Sequence, residues 1–217
     1  MSRSLSAWRD FIRANTEITA PPLTPEVPLY LASDRLDLWR MGEAELDRIG
    51  LPAPFWAFAW AGGQALARTV LYTPALVRGK SVLDFGAGSA LVGIAAAKAG
   101  ATVTACEIDP VCEAAISLNA EHNQVALTCL IEDVVGAPGR WDVILAADVC
   151  YEDASAKRIT GWLKSEAARG VTVLVGDPGR TYFPQSEFEQ IARYAVPTDS
   201  RVEDTDLRNA RVWQFRA

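Results

Sequence analysis

The chain has 217 residues, 50% of them hydrophobic, and a formal net charge of −6 at pH 7. That length and apolar content suit one globular domain with an ample core. The acidic balance argues against nucleic acid as a partner, which needs a basic footprint, and favours a basic target segment. No apolar run reaches the length of a membrane span, and the opening Met1-Ser2-Arg3-Ser4 lacks a signal-peptide core. We therefore expect a cytoplasmic protein that meets no membrane. The lone histidine, His122, leaves a Ser-His-Asp hydrolase or a two-histidine metal site poorly supplied. Cys106, Cys112, Cys129 and Cys150 show no C-x-x-C spacing, so no metal is expected.

Residues 1–50 read as an arm. Residues 4–14 carry Leu5, Trp8, Phe11 and Ile12 on one side of an amphipathic helix. Residues 20–28 hold too much proline for a helix and read as an extended connector. Residues 29–38 suggest a short strand pair before the polar stretch 42–50.

Residues 51–217 read as one domain. Phe55, Trp56 and Phe58 are expected in the core, whereas Trp60 directly precedes Gly62 and Gly63 at a helix start, where free N–H groups meet anions. A strand over 82–85 runs into the turn Gly86-Ala87-Gly88 and a small-residue helix over 91–98. The next strand ends in Glu107, and Asp109-Pro110 opens a helix, with Asp109 as its cap. Residues 126–131 form a strand ending in Glu132-Asp133, and 141–147 another ending in Asp148. A helix over 153–169, a strand over 171–177, the turn Pro178-Gly179-Arg180 and a helix over 185–194 follow. Residues 194–196 and 210–215 supply a hairpin-like pair of edge strands.

Strands alternating with helices predict an α/β fold: a doubly wound, seven-stranded, mostly parallel sheet of Rossmann-like type, preceded by the helical and extended arm. Four apolar runs each ending in a carboxylate predict a single ligand edge at the strands' carboxyl ends. The glycine turn is not the dinucleotide form, which would need glycine where Leu91 stands. Its acidic-x-Gly-x-Gly-x-small pattern, from Asp84 to Ala90, resembles the first motif of class I S-adenosylmethionine-dependent methyltransferases. Glu107, about 20 positions on, stands where a carboxylate holds a ribose diol.

Five segments in this order carry a closer likeness: FWAFAWAGGQ at 55–64, VLDFGAGSA at 82–90, EIDP at 107–110, DVCYE at 148–152 and GDPGR at 176–180. Together they resemble the electron transfer flavoprotein β-subunit lysine methyltransferases, seven-strand class I enzymes. The resemblance implies S-adenosylmethionine as cofactor, S-adenosylhomocysteine as product, and a protein partner, the flavoprotein β subunit, met by a monomer. It implies that Gly86 and Gly88 pass beneath the cofactor, Asp84 anchors its amino-acid end and Glu107 its ribose. Asp133 would lie near the adenine amino group, Trp60 would flank the ligand, and Asp148 and Tyr151 would border the target lysine, Asp148 touching the cofactor as well. Ala90 departs from the pattern, where a third glycine is usual.

Other readings stay open at this point. Within the methyltransferases the target could be a ribosomal protein, a small-molecule amine or a nucleic-acid base, although Val149 and Cys150 replace the prolines usual in base methylation. A nicotinamide-dependent oxidoreductase or a non-catalytic cofactor-binding module are the rivals from other classes. The Asp177-Pro178-Gly179-Arg180 turn offers either an arginine for an acidic partner patch or a local salt bridge.

Overall fold

The computed structural model describes residues 4–33, 46, 48, 53–137, 139–198, 203 and 205–216. Among the described residues seven strands form one sheet: β3 (Ser81–Phe85), β4 (Thr102–Glu107), β5 (Thr128–Ile131), β6 (Val143–Ala147), β7 (Thr172–Asp177), β8 (Phe188–Pro197) and β9 (Leu207–Phe215). Their spatial order is β5-β4-β3-β6-β7-β9-β8. β3 to β7 pair in parallel, and β9 runs antiparallel to both β7 and β8. The chain winds outward from β3 through β4 to β5, then returns to β6 beside β3. The β3–β6 boundary is thus the topological switch point, where open α/β sheets bind ligands. The central strands are buried on both faces, as the near-continuous apolar runs Val82-Leu83 and Val143–Ala146 require.

The helix expected over 185–194 is absent. A 3-10 turn, Gln185–Glu187, leads directly into β8. A bulge between Gln190 and Ala192 shifts the register there, so the apolar spacing from Phe188 to Ile191 and Ala192 mimics a helical face. Beyond the bulge, Ala192, Tyr194 and Val196 alternate with exposed neighbours, the period of a strand.

The front of the chain also departs from expectation. Leu29–Leu31 (β2) pairs antiparallel with Glu17–Thr19 (β1), Glu17 opposite Leu31, a partner the sequence did not suggest. Residues 34–38 and most of 42–50 lie outside the described residues. The proline-rich stretch does not run extended. It doubles back in two turns, closed by Thr24 N–H to Pro21 C=O and Val27 N–H to Thr24 C=O, both 3.0 Å. Proline's fixed φ favours such turns, and burial of Thr24 and Val27 anchors them.

The first helix, Leu5–Asn15, is capped by Ser4 and buries Trp8 and Ile12 against the helix Pro110–His122. Arg9 reaches across to Ser117 and Glu121 on that helix. Buried Asn119 joins this layer to the ligand edge. Its side-chain oxygen accepts from Tyr30 N–H at 2.7 Å, and its amide nitrogen donates to the Ser89 carbonyl at 2.8 Å. The glycine turn and the β1–β2 hairpin therefore share one polar side chain. Opposite, Arg68 binds Glu26 with both terminal guanidinium nitrogens, donates from Nε to the Leu23 carbonyl and packs on Tyr72.

Candidate active site

The carboxyl ends of β3, β4 and β6 open onto a cavity of about 430 Å³. That size falls within the range of small-molecule sites. Trp60, Asp84, Gly86, Gly88, Glu107, Asp148 and Tyr151 all line it. Residues far apart in the chain thus meet on one ligand edge, as the carboxylate-ended strands predict.

Asp84, Glu107 and Asp148 each accept a backbone N–H from a neighbouring element. Asp84 lies fully inside the protein, and its Oδ2 accepts Gly93 N–H at 2.8 Å from the first turn of the helix Leu91–Lys98. A Cβ on Gly93 would fall 2.7 Å from that oxygen, so glycine is what lets the carboxylate reach the turn. Burial pushes the Asp84 carboxyl up to about 7, with the Gly93 bond pulling the other way. Glu107 accepts Gly88 N–H on one oxygen and Ile108 N–H on the other, both at 2.9 Å. Its carboxyl is raised as well, chiefly by burial. Gly86 and Gly88 stand at φ 65 and 51, the left-handed region glycine adopts freely. Ala90, φ 62, adopts the same region with its methyl wholly buried, so the usual third glycine is replaced here at a strain cost of about 1–2 kcal/mol.

Asp148 stands at the switch point. Its N–H donates to Gly176 C=O at 3.0 Å, continuing the β6–β7 ladder, and its own φ is 57. Its Oδ2 accepts Gly63 N–H at 2.9 Å from the first turn of the helix Ala61–Tyr72. Its Oδ1 faces Arg180 Nη2 at 3.1 Å. Burial raises its carboxyl to about 7; Arg180 and Gly63 oppose that, while Glu203 and Asp177 add to it. The helix start comes this close because Gly62 and Gly176 pack backbone against backbone. A Cβ on Gly62 would lie 2.5 Å from both Asp148 Oδ2 and the Gly176 oxygen, and one on Gly176 would lie 2.2 Å from the Gly62 oxygen. Glu203 accepts the Ala61 N–H at 2.9 Å, so two carboxylates meet this helix N-terminus.

Trp60 lines the wall beside this site, its indole N–H donating to the Phe55 carbonyl at 2.9 Å. Phe55 is not a core residue: it is 52% exposed, and its ring stands 5.7 Å from that of Tyr151 at the cavity mouth. The 3-10 turn Phe55–Ala57 buries Trp56 and Ala57 instead, which leaves Phe55 pointing outward. Phe58 is partly buried and also lines the cavity. Asp109 caps the helix Pro110–His122 through Val111 N–H and lines the cavity too.

Asp133 does not join them. Its Oδ2 meets Arg158 at 2.7 Å and its Oδ1 accepts Val135 N–H, and that guanidinium holds its carboxyl below the usual range. Glu132 lines the cavity at this strand end. Arg180, left open between a partner contact and a local bridge, forms the local bridge with Asp148. Nothing in the sequence marks Glu203, which lies 55 positions beyond Asp148 in a segment without a motif. The closeness of Gly62 to Gly176 likewise leaves no mark in the sequence, although one stands in FWAFAWAGGQ and the other in GDPGR.

The donor set suits S-adenosylmethionine. Asp84, Glu107, Asp109, Glu132 and Asp148 give anionic or accepting groups for an ammonium, a sulfonium and a ribose diol. Trp60, Phe58, Val92 and Ile108 give apolar wall for a purine.

A family model described as ribosomal protein L11 methyltransferase (PrmA) matches residues 69–178. The electron transfer flavoprotein beta subunit lysine methyltransferase of Xenopus laevis is 39% identical over 220 residues, 98% of this chain and 88% of that protein. The Homo sapiens protein of the same name is 36% identical over 215 residues, 95% of this chain and 81% of its own. Among solved structures, the magnesium protoporphyrin IX methyltransferase of Synechocystis PCC 6803 with bound SAM aligns with TM-score 0.52 at 14% identity, over 70% of this chain and 78% of that one. Thermoplasma acidophilum 1320 aligns with TM-score 0.53 at 18% identity, over 69% and 87%. These two likenesses concern the fold; the sequence relatives reach across the cavity residues and nearly the whole chain. The chain belongs to the electron transfer flavoprotein β-subunit lysine methyltransferase family.

Proposed function

We propose that this chain transfers methyl groups from S-adenosylmethionine to lysine side chains of the electron transfer flavoprotein β subunit. The observation that carries the reading is the placement of Asp148: a buried carboxylate, fixed by a helix N-terminus, beside Tyr151 at the mouth of a cavity floored by the glycine turn. Names of relatives at 36–39% identity support the choice of substrate.

When bound, the cofactor supplies a methyl group on a positive sulfur, already electrophilic. What remains for the protein is positioning. Asp84, Gly86 and Gly88 would hold the amino-acid end, and Glu107 the ribose hydroxyls. Asp148 would orient the lysine nitrogen at the inner end of the mouth. Tyr151, 58% exposed and packed on Phe55, would border the alkyl chain. A lysine ammonium titrates near ~10.4 in water and must lose a proton before it can attack. Leaving water for a site beside a positive sulfur lowers that value, while Asp148 raises it. Asp148 therefore gives up some of the neutral, attacking amine in return for alignment, and the exposed mouth lets the proton leave through water.

The test is methyl transfer with purified flavoprotein β subunit and, separately, ribosomal protein L11, read by peptide mass spectrometry. The reading expects methylated lysines on the flavoprotein, and turnover reduced at least ~100-fold by Asp148→Asn with cofactor affinity within a few-fold of wild type. Methylation of L11 alone would replace the substrate. Equal losses of affinity and turnover would remove Asp148 from its role.

A further inference from the structure

Five carboxylates line the large cavity, and among the described residues Arg180 is the sole cationic side chain there. Its Nη2 lies 3.1 Å from Asp148 Oδ1, and its Cζ stands 5.8 Å from the centroid of the Trp60 ring. A cation between a carboxylate and an aromatic face is the arrangement that recognises an alkylammonium. Here that arrangement is filled by the protein itself.

The guanidinium is lightly held, whereas its backbone is not. Arg180 N–H donates to Asp177 Oδ1 at 2.8 Å, Gly179 N–H to the same oxygen at 2.6 Å, and Arg180 C=O accepts Phe183 N–H. Among the described residues the side chain, by contrast, makes one hydrogen bond, to Asp148, beside its place over the Trp60 ring, and its buried Nε has no hydrogen-bond partner. Arg180 also lines a second cavity, about 260 Å³, whose wall includes Tyr182, Glu203 and Arg208. Glu203 accepts Ala61 N–H on Oε1, and its Oε2 lies 3.5 Å from Arg208 Nε, a loose pair in which that oxygen can take a second donor. The side chain therefore stands on the boundary between two cavities, with an acid on each side.

We infer that the Arg180 guanidinium occupies the seat of the target lysine's ammonium group, and swings toward Glu203 in the second cavity when that lysine enters. The inference rests on the reading of Asp148 as the carboxylate that faces the amine. Arg180 is then a positioning residue. Before the substrate arrives it keeps Asp148 paired, and it makes the seat available only to a cation able to displace it. Asp148 is faced by Arg180, Glu203, Asp177, the Cys150 thiol and the Gly63 N–H, with Tyr151 on its own turn and Arg208 behind Glu203. Arg180 supplies the compensating positive charge.

The experiment uses the full chain loaded with S-adenosylhomocysteine, n-butylammonium as the probe of the seat, and tryptophan fluorescence as readout, at about pH 8.5 where the probe stays charged. Arg180→Gln keeps a polar group beside Asp148 but removes the competing charge. It should bind n-butylammonium at least about tenfold more tightly than wild type. Arg180→Lys restores a charge and should return the affinity toward wild type. Damage to the fold would weaken binding, so a gain cannot come from that source. Equal or weaker binding by Arg180→Gln, or none by any variant, overturns the inference. Should Arg180→Gln fail to fold, a crystal structure of wild type with S-adenosylhomocysteine and n-butylammonium decides. The amine between Asp148 and Trp60 with Arg180 turned toward Glu203 supports the inference; the guanidinium still on Asp148 overturns it. Failure of the functional reading looks different: no methyl transfer to the flavoprotein, whatever the amine affinities are.

Discussion

Gly62→Ala tests how the active edge is assembled. The new Cβ would lie 2.5 Å from Asp148 Oδ2, 2.5 Å from the Gly176 oxygen and 2.8 Å from the Gly176 carbonyl carbon. Ordinary contact begins at 3.4 Å, so the start of the helix Ala61–Tyr72 must retreat by about 0.9 Å from the β6–β7 edge. Neither obstacle is the end of a flexible side chain: one is backbone, the other a carboxylate fixed on two sides. Overpacking of this kind costs about 1–3 kcal/mol. The same retreat lengthens the 2.9 Å bond from Gly63 N–H to Asp148, a hydrogen bond to a charged group worth about 1.5–3 kcal/mol. A net loss near 3 kcal/mol lowers the melting temperature of a chain this size by about 6–12 °C. Calorimetry with S-adenosylhomocysteine should also show at least tenfold weaker binding, because Gly63 and Trp60 move with the helix. Gly161→Ala is the control. It lies exposed in the helix Asp153–Ala168 with nothing within 4 Å of a new Cβ, and should gain up to about 1 kcal/mol. A Gly62→Ala protein that melts and binds like wild type would refute this account of the edge.

Three more outcomes follow from the geometry. Asp84 and Asp148 are raised from 3.8 to about 7. Their stabilising effect is whole below about pH 3.8 and is lost as pH rises through about 7, up to about 4 kcal/mol for each. Urea midpoints of the ligand-free chain should therefore fall between about pH 4 and 7 and level off above it, and Asp84→Asn or Asp148→Asn should flatten the slope; a midpoint rising with pH across that window contradicts this. Glu107→Gln keeps the shape but leaves Gly88 N–H or Ile108 N–H facing an amide donor, and should weaken cofactor binding about 10–100-fold by calorimetry. Asp133→Ala removes a half-exposed ion pair with Arg158 outside the cavity, so cofactor affinity should stay within about threefold; a larger loss would mean that Asp133 turns inward on binding.

The strands ending in carboxylates were legible because a buried parallel strand must be apolar and its end must meet water or a ligand. That rule placed Glu107 and Asp148 on one edge. It could not choose between Glu132 and Asp133, since the direction of a side chain just past a strand depends on where the pleat stops. The edge strand β8 was read as a helix because one bulge converts period two into something near period three and a half. Arg180, Glu203 and the Gly62–Gly176 contact depend on how β7 meets the helix Ala61–Tyr72, a tertiary distance no local pattern encodes. The hairpin between β1 and β2 was hidden for a simpler reason: prolines forbid a helix but permit both an extended run and a pair of turns.

A crystal structure of the chain with S-adenosylhomocysteine tests the central claim most directly. The account predicts ribose hydroxyls on the Glu107 carboxylate, the amino-acid end over the Gly86–Gly88 turn, and the sulfur turned toward the gap between Asp148 and Tyr151. A ligand seated elsewhere, or one whose sulfur faces Glu132, would contradict it.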